Sequence, residues 1–121
     1  IRYAGRNRIE DGLGISVNFF HLDCLASEVR LNVDLDAALT VIANGCYRWL
    51  ASRLGGFAKA DPKQLYRRFV ATAGTVTIQN DRLSVTFDRR SHNPILREAD
   101  LDRDSPPIPW LGQRRLVFSY R

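Results

Sequence analysis

Tyr3, Arg6 and Glu10 are the residues whose types and spacing bring chemistry to the start of this chain. Arg6 and Glu10 are four apart, so on a helix their side chains stand next to each other. Tyr3 falls at or just before the first turn, within reach of Arg6. A Glu on a rigid helix can supply one oxygen ligand of the kind that suits Mg²⁺ or Mn²⁺. A neighbouring Arg can neutralise or orient a phosphate through a bidentate contact. The plain alternative is an amphipathic helix with one solvent-facing ion pair, worth roughly a few tenths of a kcal/mol. Ile9 and Leu13, also four apart, mark the side of that helix that packs against the body.

The order Tyr, two residues, Arg, three residues, Glu resembles the signature around the last catalytic carboxylate of bacterial insertion-sequence transposases of the DDE class. Phe19-Phe20-His21-Leu22-Asp23, Asn93-Pro94 and Ile108-Pro109-Trp110-Leu111-Gly112 also resemble the C-terminal part of such proteins. The resemblance implies an α+β fold that is the C-terminal portion of an RNase H-like domain. It implies that Glu10 is catalytic and metal-binding, completing a triad with two Asp residues that lie earlier in the parent protein. It also implies that Tyr3 and Arg6 serve the DNA backbone, and that Mg²⁺ or Mn²⁺ binds only when the missing Asp residues are present; Arg8, between them and Glu10, is a further candidate for DNA binding. The activity would be cleavage and joining of DNA at insertion-sequence ends by two-metal phosphoryl transfer, in which carboxylates hold two cations about 3.5–4 Å apart. One carboxylate cannot do that work, so the chain alone should be catalytically incomplete. A homodimer of the parent protein is kept open. The family often carries a Lys seven residues after the Glu, where this chain has Val17. One phosphate contact of the family pattern is therefore missing.

The chain has 121 residues, one domain's worth. With 45% hydrophobic and 26% charged residues it has an ordinary globular composition. No apolar run approaches the roughly 20 residues of a membrane span, and no signal peptide opens it. It begins with Ile and has no Met, which suggests a piece of something longer. Net charge is +5, carried by sixteen Arg and two Lys. Guanidinium groups suit phosphate contacts, although a GC-rich coding sequence produces the same bias. Cys24 and Cys46 make no disulfide framework, and a reducing cytoplasm is the simpler assumption.

Three stretches must position these residues: a Glu helix over 1–14, a helical part over 34–72, and a hairpin, loop and last strand over 75–121. Gly12 and Gly14 loosen or end the first helix, and the alternation in Ile15–Phe19 reads as a short strand. Leu31, Val33 and Leu35 alternate as an extended approach. Asp34 or Asp36 then caps a long central helix. Its buried stripe is Leu39, Ile42, Ala43, Cys46 and Leu50, and Gly55-Gly56 ends it. Asp61-Pro62-Lys63-Gln64 opens a second helix with a cap, a Pro at the first position and a capping-box Gln. Leu65, Phe69 and Val70 form its apolar side, and Lys63, Arg67 and Arg68 make it basic elsewhere. Thr75–Phe87 is a hairpin turning at Asn80-Asp81, with its apolar face on the helices. A short helix begins at Asn93-Pro94, an exposed loop runs from Asp100 to Pro109, and Leu116–Phe118 is a last strand that joins the hairpin.

Other constellations are weaker. His21, Cys24, Cys46 and His92 lack the paired geometry of a structural zinc site, and Cys46 reads as core. Arg67-Arg68, Arg89-Arg90 and Arg114-Arg115 are candidates for salt-sensitive backbone contacts with DNA; Arg67 and Arg68 are the pair carried forward. Trp49 and Trp110 read as packing residues. The rival to the transposase is a non-catalytic α+β module that binds nucleic acid or protein through an Arg-rich surface. Burial discriminates them: a piece of a larger enzyme exposes an apolar face near Ile9, Leu13 and the long helix, and a self-sufficient module does not.

Overall fold

Two long helices lead into a shorter helical segment and a three-stranded sheet, with a further short helix between the sheet's second and third strands. The computed structural model describes the backbone of residues 2–21 and 30–121, and the side chains of residues 9–21 and 32–121. Helix α1 spans Arg2–Asn18 and α2 spans Arg30–Arg53. Helix α3 covers Pro62–Leu65 and runs straight into a wider π-helical turn, Tyr66–Val70. Strands β1 (Gly74–Ile78) and β2 (Arg82–Phe87) follow, then helix α4 (Asn93–Ala99), a 3₁₀ turn (Pro109–Leu111) and strand β3 (Arg115–Tyr120). The protein is α+β.

Helix α1 does not stop at its glycines. It continues to Asn18 and absorbs all but the last residue of the Ile15–Phe19 segment that alternation assigned to a strand. A Gly inside a helix costs about 1 kcal/mol without terminating it, and Ser16 Oγ donates to Gly12 O at 3.0 Å across that turn. The end is fixed by tertiary contact. Phe19 meets the rings of Phe20, Tyr47 and Tyr66 at 4.9, 5.5 and 6.2 Å.

Helix α2 likewise starts earlier than expected. The segment read as extended, including Val33 and Leu35, is helical, and Asp34 and Asp36 lie inside the helix instead of capping it. Thr40 Oγ1 donates back to Asp36 O at 2.8 Å. The expected buried stripe is also displaced. Leu39, Ile42 and Cys46 are exposed, whereas Thr40 and Ala51 are the buried residues of the helix and Leu54 is buried just beyond it. Only one side of α2 is packed, against the end of α1 and against α3; of the expected stripe Leu50 borders the core and Ala43 is half-buried, so the apolar periodicity met the packed side only in part. Gly56, at φ 79°, turns the chain after the helix.

At α3 the start signals act as read. Asp61 accepts from Gln64 N at 2.7 Å and Pro62 occupies the first turn. Leu65 and Phe69 join Ala51, Leu54 and Leu96 in the core, with Tyr47, Leu50, Phe57 and Tyr120 around them. Val70 is exposed, because the π-helical turn rotates it off the buried side.

In the sheet, β1 pairs antiparallel with β2, and β2 pairs parallel with β3. The parallel pair requires a crossover, which α4 supplies. One face carries Val76, Ile78, Leu83, Val85, Phe87, Leu116, Phe118 and Tyr120; the other carries mainly Thr and Ser, with Thr86 and Ser119 hydroxyls 2.7 Å apart. The helices do not cover all of the apolar face, since Val76 and Ile78 on β1 are exposed. Gly74 permits the close pairing with β2, because a Cβ there would lie 2.6 Å from Thr86 O. The segment from Asp100 to Pro109 is not simply an exposed loop. Asp102 turns in and accepts from Phe118 N at 2.7 Å, and Ile108 bridges to Arg114. No helix among the described residues is long and apolar enough to cross a membrane.

Candidate functional site

Helix α1, the second half of α2 and the segment 58–63 enclose an open cleft of about 830 Å³. Glu10 and Asp11 line it from α1, on the same helix side as Ile15, Asn18 and Phe19. Asn44, Tyr47, Arg48 and Ala51 line it from α2, and Lys59 and Lys63 come from the chain that the Gly55-Gly56 turn brings back. Two carboxylates thus stand on the α1 wall and cations on the other two, where Asp61 also lines the cleft between Lys59 and Lys63. Asn44 Oδ1 is shielded from solvent and has no hydrogen-bond partner among the described residues, leaving an acceptor open to a donor in the cleft. Burial, then the neighbouring Tyr66, raises the Tyr47 hydroxyl above its ordinary pKa.

The candidate residues fall into two separate places. The positions of Tyr3, Arg6, Arg8 and Glu10 share helix α1, and Glu10 is exposed on the cleft wall; the side chains of Tyr3, Arg6 and Arg8 lie outside the described residues. Arg67 and Arg68 sit on the π-helical turn and do not line this cleft. The Arg68 guanidinium lies 5.5 Å over the Phe57 ring, a cation–π contact that holds it against the fold. Arg48, Lys59 and Lys63 are the cations that share the cleft with Glu10. By sequence position Arg48 merely suits the dipole at the end of α2 and Lys63 the basic side of the second helix, and nothing local points to Lys59. Their convergence depends on a turn between elements and left no local spacing to read.

The other double-Arg steps are partly spent on the backbone. Arg90 Nη1 donates to Ala71 O at 2.8 Å, and its Nη2 to Arg67 O at 3.4 Å. Arg114 Nε donates to Gln79 O at 2.8 Å, and its Nη1 to Leu111 O at 2.6 Å. These side chains close orphaned carbonyls at the end of the π-helical turn and beside the hairpin.

A zinc site finds no support here. Cys46 is exposed, His92 packs edge-on against Phe57 and Phe69, and Cys24 lies outside the described residues. Among the described residues no three His, Cys, Asp or Glu stand together to hold a metal ion. Glu10 contributes a carboxylate to the cleft wall, next to Asp11. Trp49 and Trp110 are exposed, contrary to their expected packing roles.

No family model, no curated protein and no solved structure matches this chain significantly.

Proposed function

We propose that this chain is the C-terminal portion of an RNase H-like DDE transposase that cleaves and joins DNA at insertion-sequence ends, with Glu10 as one of its metal-binding carboxylates. The observation that carries this reading is the setting of Glu10. It follows Tyr3 and Arg6 at the signature spacing on one unbroken helix and stands on the wall of an open cleft. On the same helix Ile9 and Leu13 are 73% and 59% exposed, so apolar positions beside the carboxylate stand uncovered. Such a surface is what an element of a larger catalytic domain presents when taken by itself. It weighs against a self-sufficient binding module, as does the use of Arg68, Arg90 and Arg114 in internal contacts.

The described residues do not by themselves hold a metal ion. A metal site built on Glu10 draws its other ligands from the parent protein, and Arg6, with Arg48, Lys59 and Lys63 across the cleft, supplies positive charge for phosphate. The test is DNA nicking in Mg²⁺ by the product of the complete reading frame that contains this chain. Nicking by the parent, and its loss in Glu10→Gln with DNA binding retained, is the expected outcome. Nicking that survives Glu10→Gln removes Glu10 from the chemistry.

A further inference from the structure

Helix α2 carries an apolar stripe that nothing among the described residues covers. Leu35, Leu39, Ile42, Cys46 and Trp49 succeed one another at intervals of four, three, four and three. All five are exposed, the four large ones between 52% for Leu39 and 61% for Ile42. This spacing keeps all five on one side of the helix along about four turns, the arrangement that lets a second helix pack lengthwise on it. Solvated helix faces carry charge, yet residues 37–47 of α2 contain none. The partner that fits the stripe is therefore a helix.

After Arg30, the charges of α2 are Asp34 and Asp36 in its first half and Arg48 and Arg53 in its second. None of these four forms a salt bridge among the described residues. Arg53 instead lies 5.9 Å over the ring of Trp49, at the end of the stripe. A helix of the same sequence running in the opposite direction sets its basic half beside this acidic half, twice over. A parallel copy sets like charges together.

The sizes agree with a two-fold axis at Ile42. Leu35 then faces the second copy's Trp49, and Leu39 faces its Gly45, where even an added Cβ meets nothing within 4 Å. We propose that α2 is a self-association surface: two copies of this chain pair through antiparallel α2 helices centred on Ile42. The inference does not depend on the role of Glu10.

The test uses the 121-residue chain. Light scattering should give twice the 13.8 kDa of one chain, and Ile42→Glu should return it to one. Asp34→Arg/Asp36→Arg and Arg48→Asp/Arg53→Asp should each weaken pairing at least tenfold. Mixing these two variants should restore it as a heterodimer. In a Cys24→Ser/Cys46→Ser background, Ile42→Cys should cross-link under mild oxidation. Cys46 in a Cys24→Ser chain should not, because antiparallel copies separate it from its counterpart by about 12 Å along the axis. A monomer at high concentration, or cross-linking at 46 and not at 42, overturns the proposal and gives the stripe to a different partner or to a parallel pair.

Discussion

At the scale of single residues, several side chains act on the fold rather than on a ligand. Tyr120 stacks on Phe87 at 5.4 Å, with the Arg97 guanidinium 5.5 Å over its ring. Burial, then Asp102, raise its hydroxyl pKa; Arg97 opposes them, and Asp100 adds a smaller upward push. A Tyr whose folded pKa is raised contributes stability that is complete below its unfolded value of about 10 and is lost as pH rises through the folded value. The melting temperature should therefore fall from pH 9 to 11, and Tyr120→Phe should flatten that fall in a thermal scan. Asp102 provides a second check, because its carboxylate accepts from Phe118 N. Asp102→Ala leaves that partly buried N–H without its partner and should cost about 1–3 kcal/mol in urea unfolding. Asp102→Asn, which keeps an acceptor, should cost less.

At the scale of elements, the best-read part of the chain is the start of α3. There the cap, the Pro and the apolar side are adjacent in sequence and need no distant partner. Asp61→Ala removes the bond to Gln64 N and should cost about 1 kcal/mol by chemical denaturation; an unchanged midpoint would show the cap idle. The hairpin and the final strand were legible for the same reason, since period-two alternation and turn residues are local. The errors fall where tertiary contact decided. Ile15, Val17 and Phe19 alternate as a strand would, but Ile15 and Val17 are in the last turns of α1, and just beyond them Phe19 and Phe20 pack on Tyr47. The stripe of α2 was found with its period right and its environment right only in part. Hydrophobic spacing says which residues share a side of a helix, not whether this chain covers them.

At the scale of the whole molecule, the core gathers around Leu54, Leu65 and Phe69, and both long helices keep apolar sides outside it. Glu10 is singled out by a spacing that lies within two helical turns, and it stands on the cleft wall. The cations across its cleft were not, because a glycine turn between two helices brings Lys59 and Lys63 there. The uncovered surfaces divide by position. Under the two proposals above, the stripe of α2 receives a second copy, and Ile9 and Leu13, beside Glu10, meet the rest of a catalytic domain whose other carboxylates are encoded together with this chain. The most direct measurement is the coding DNA immediately upstream of the Ile1 codon. The transposase reading predicts an in-frame extension carrying two Asp residues on strand-like apolar segments. Stop codons there, or an extension without such a pair, would contradict it and leave Glu10 as a surface carboxylate on a helix.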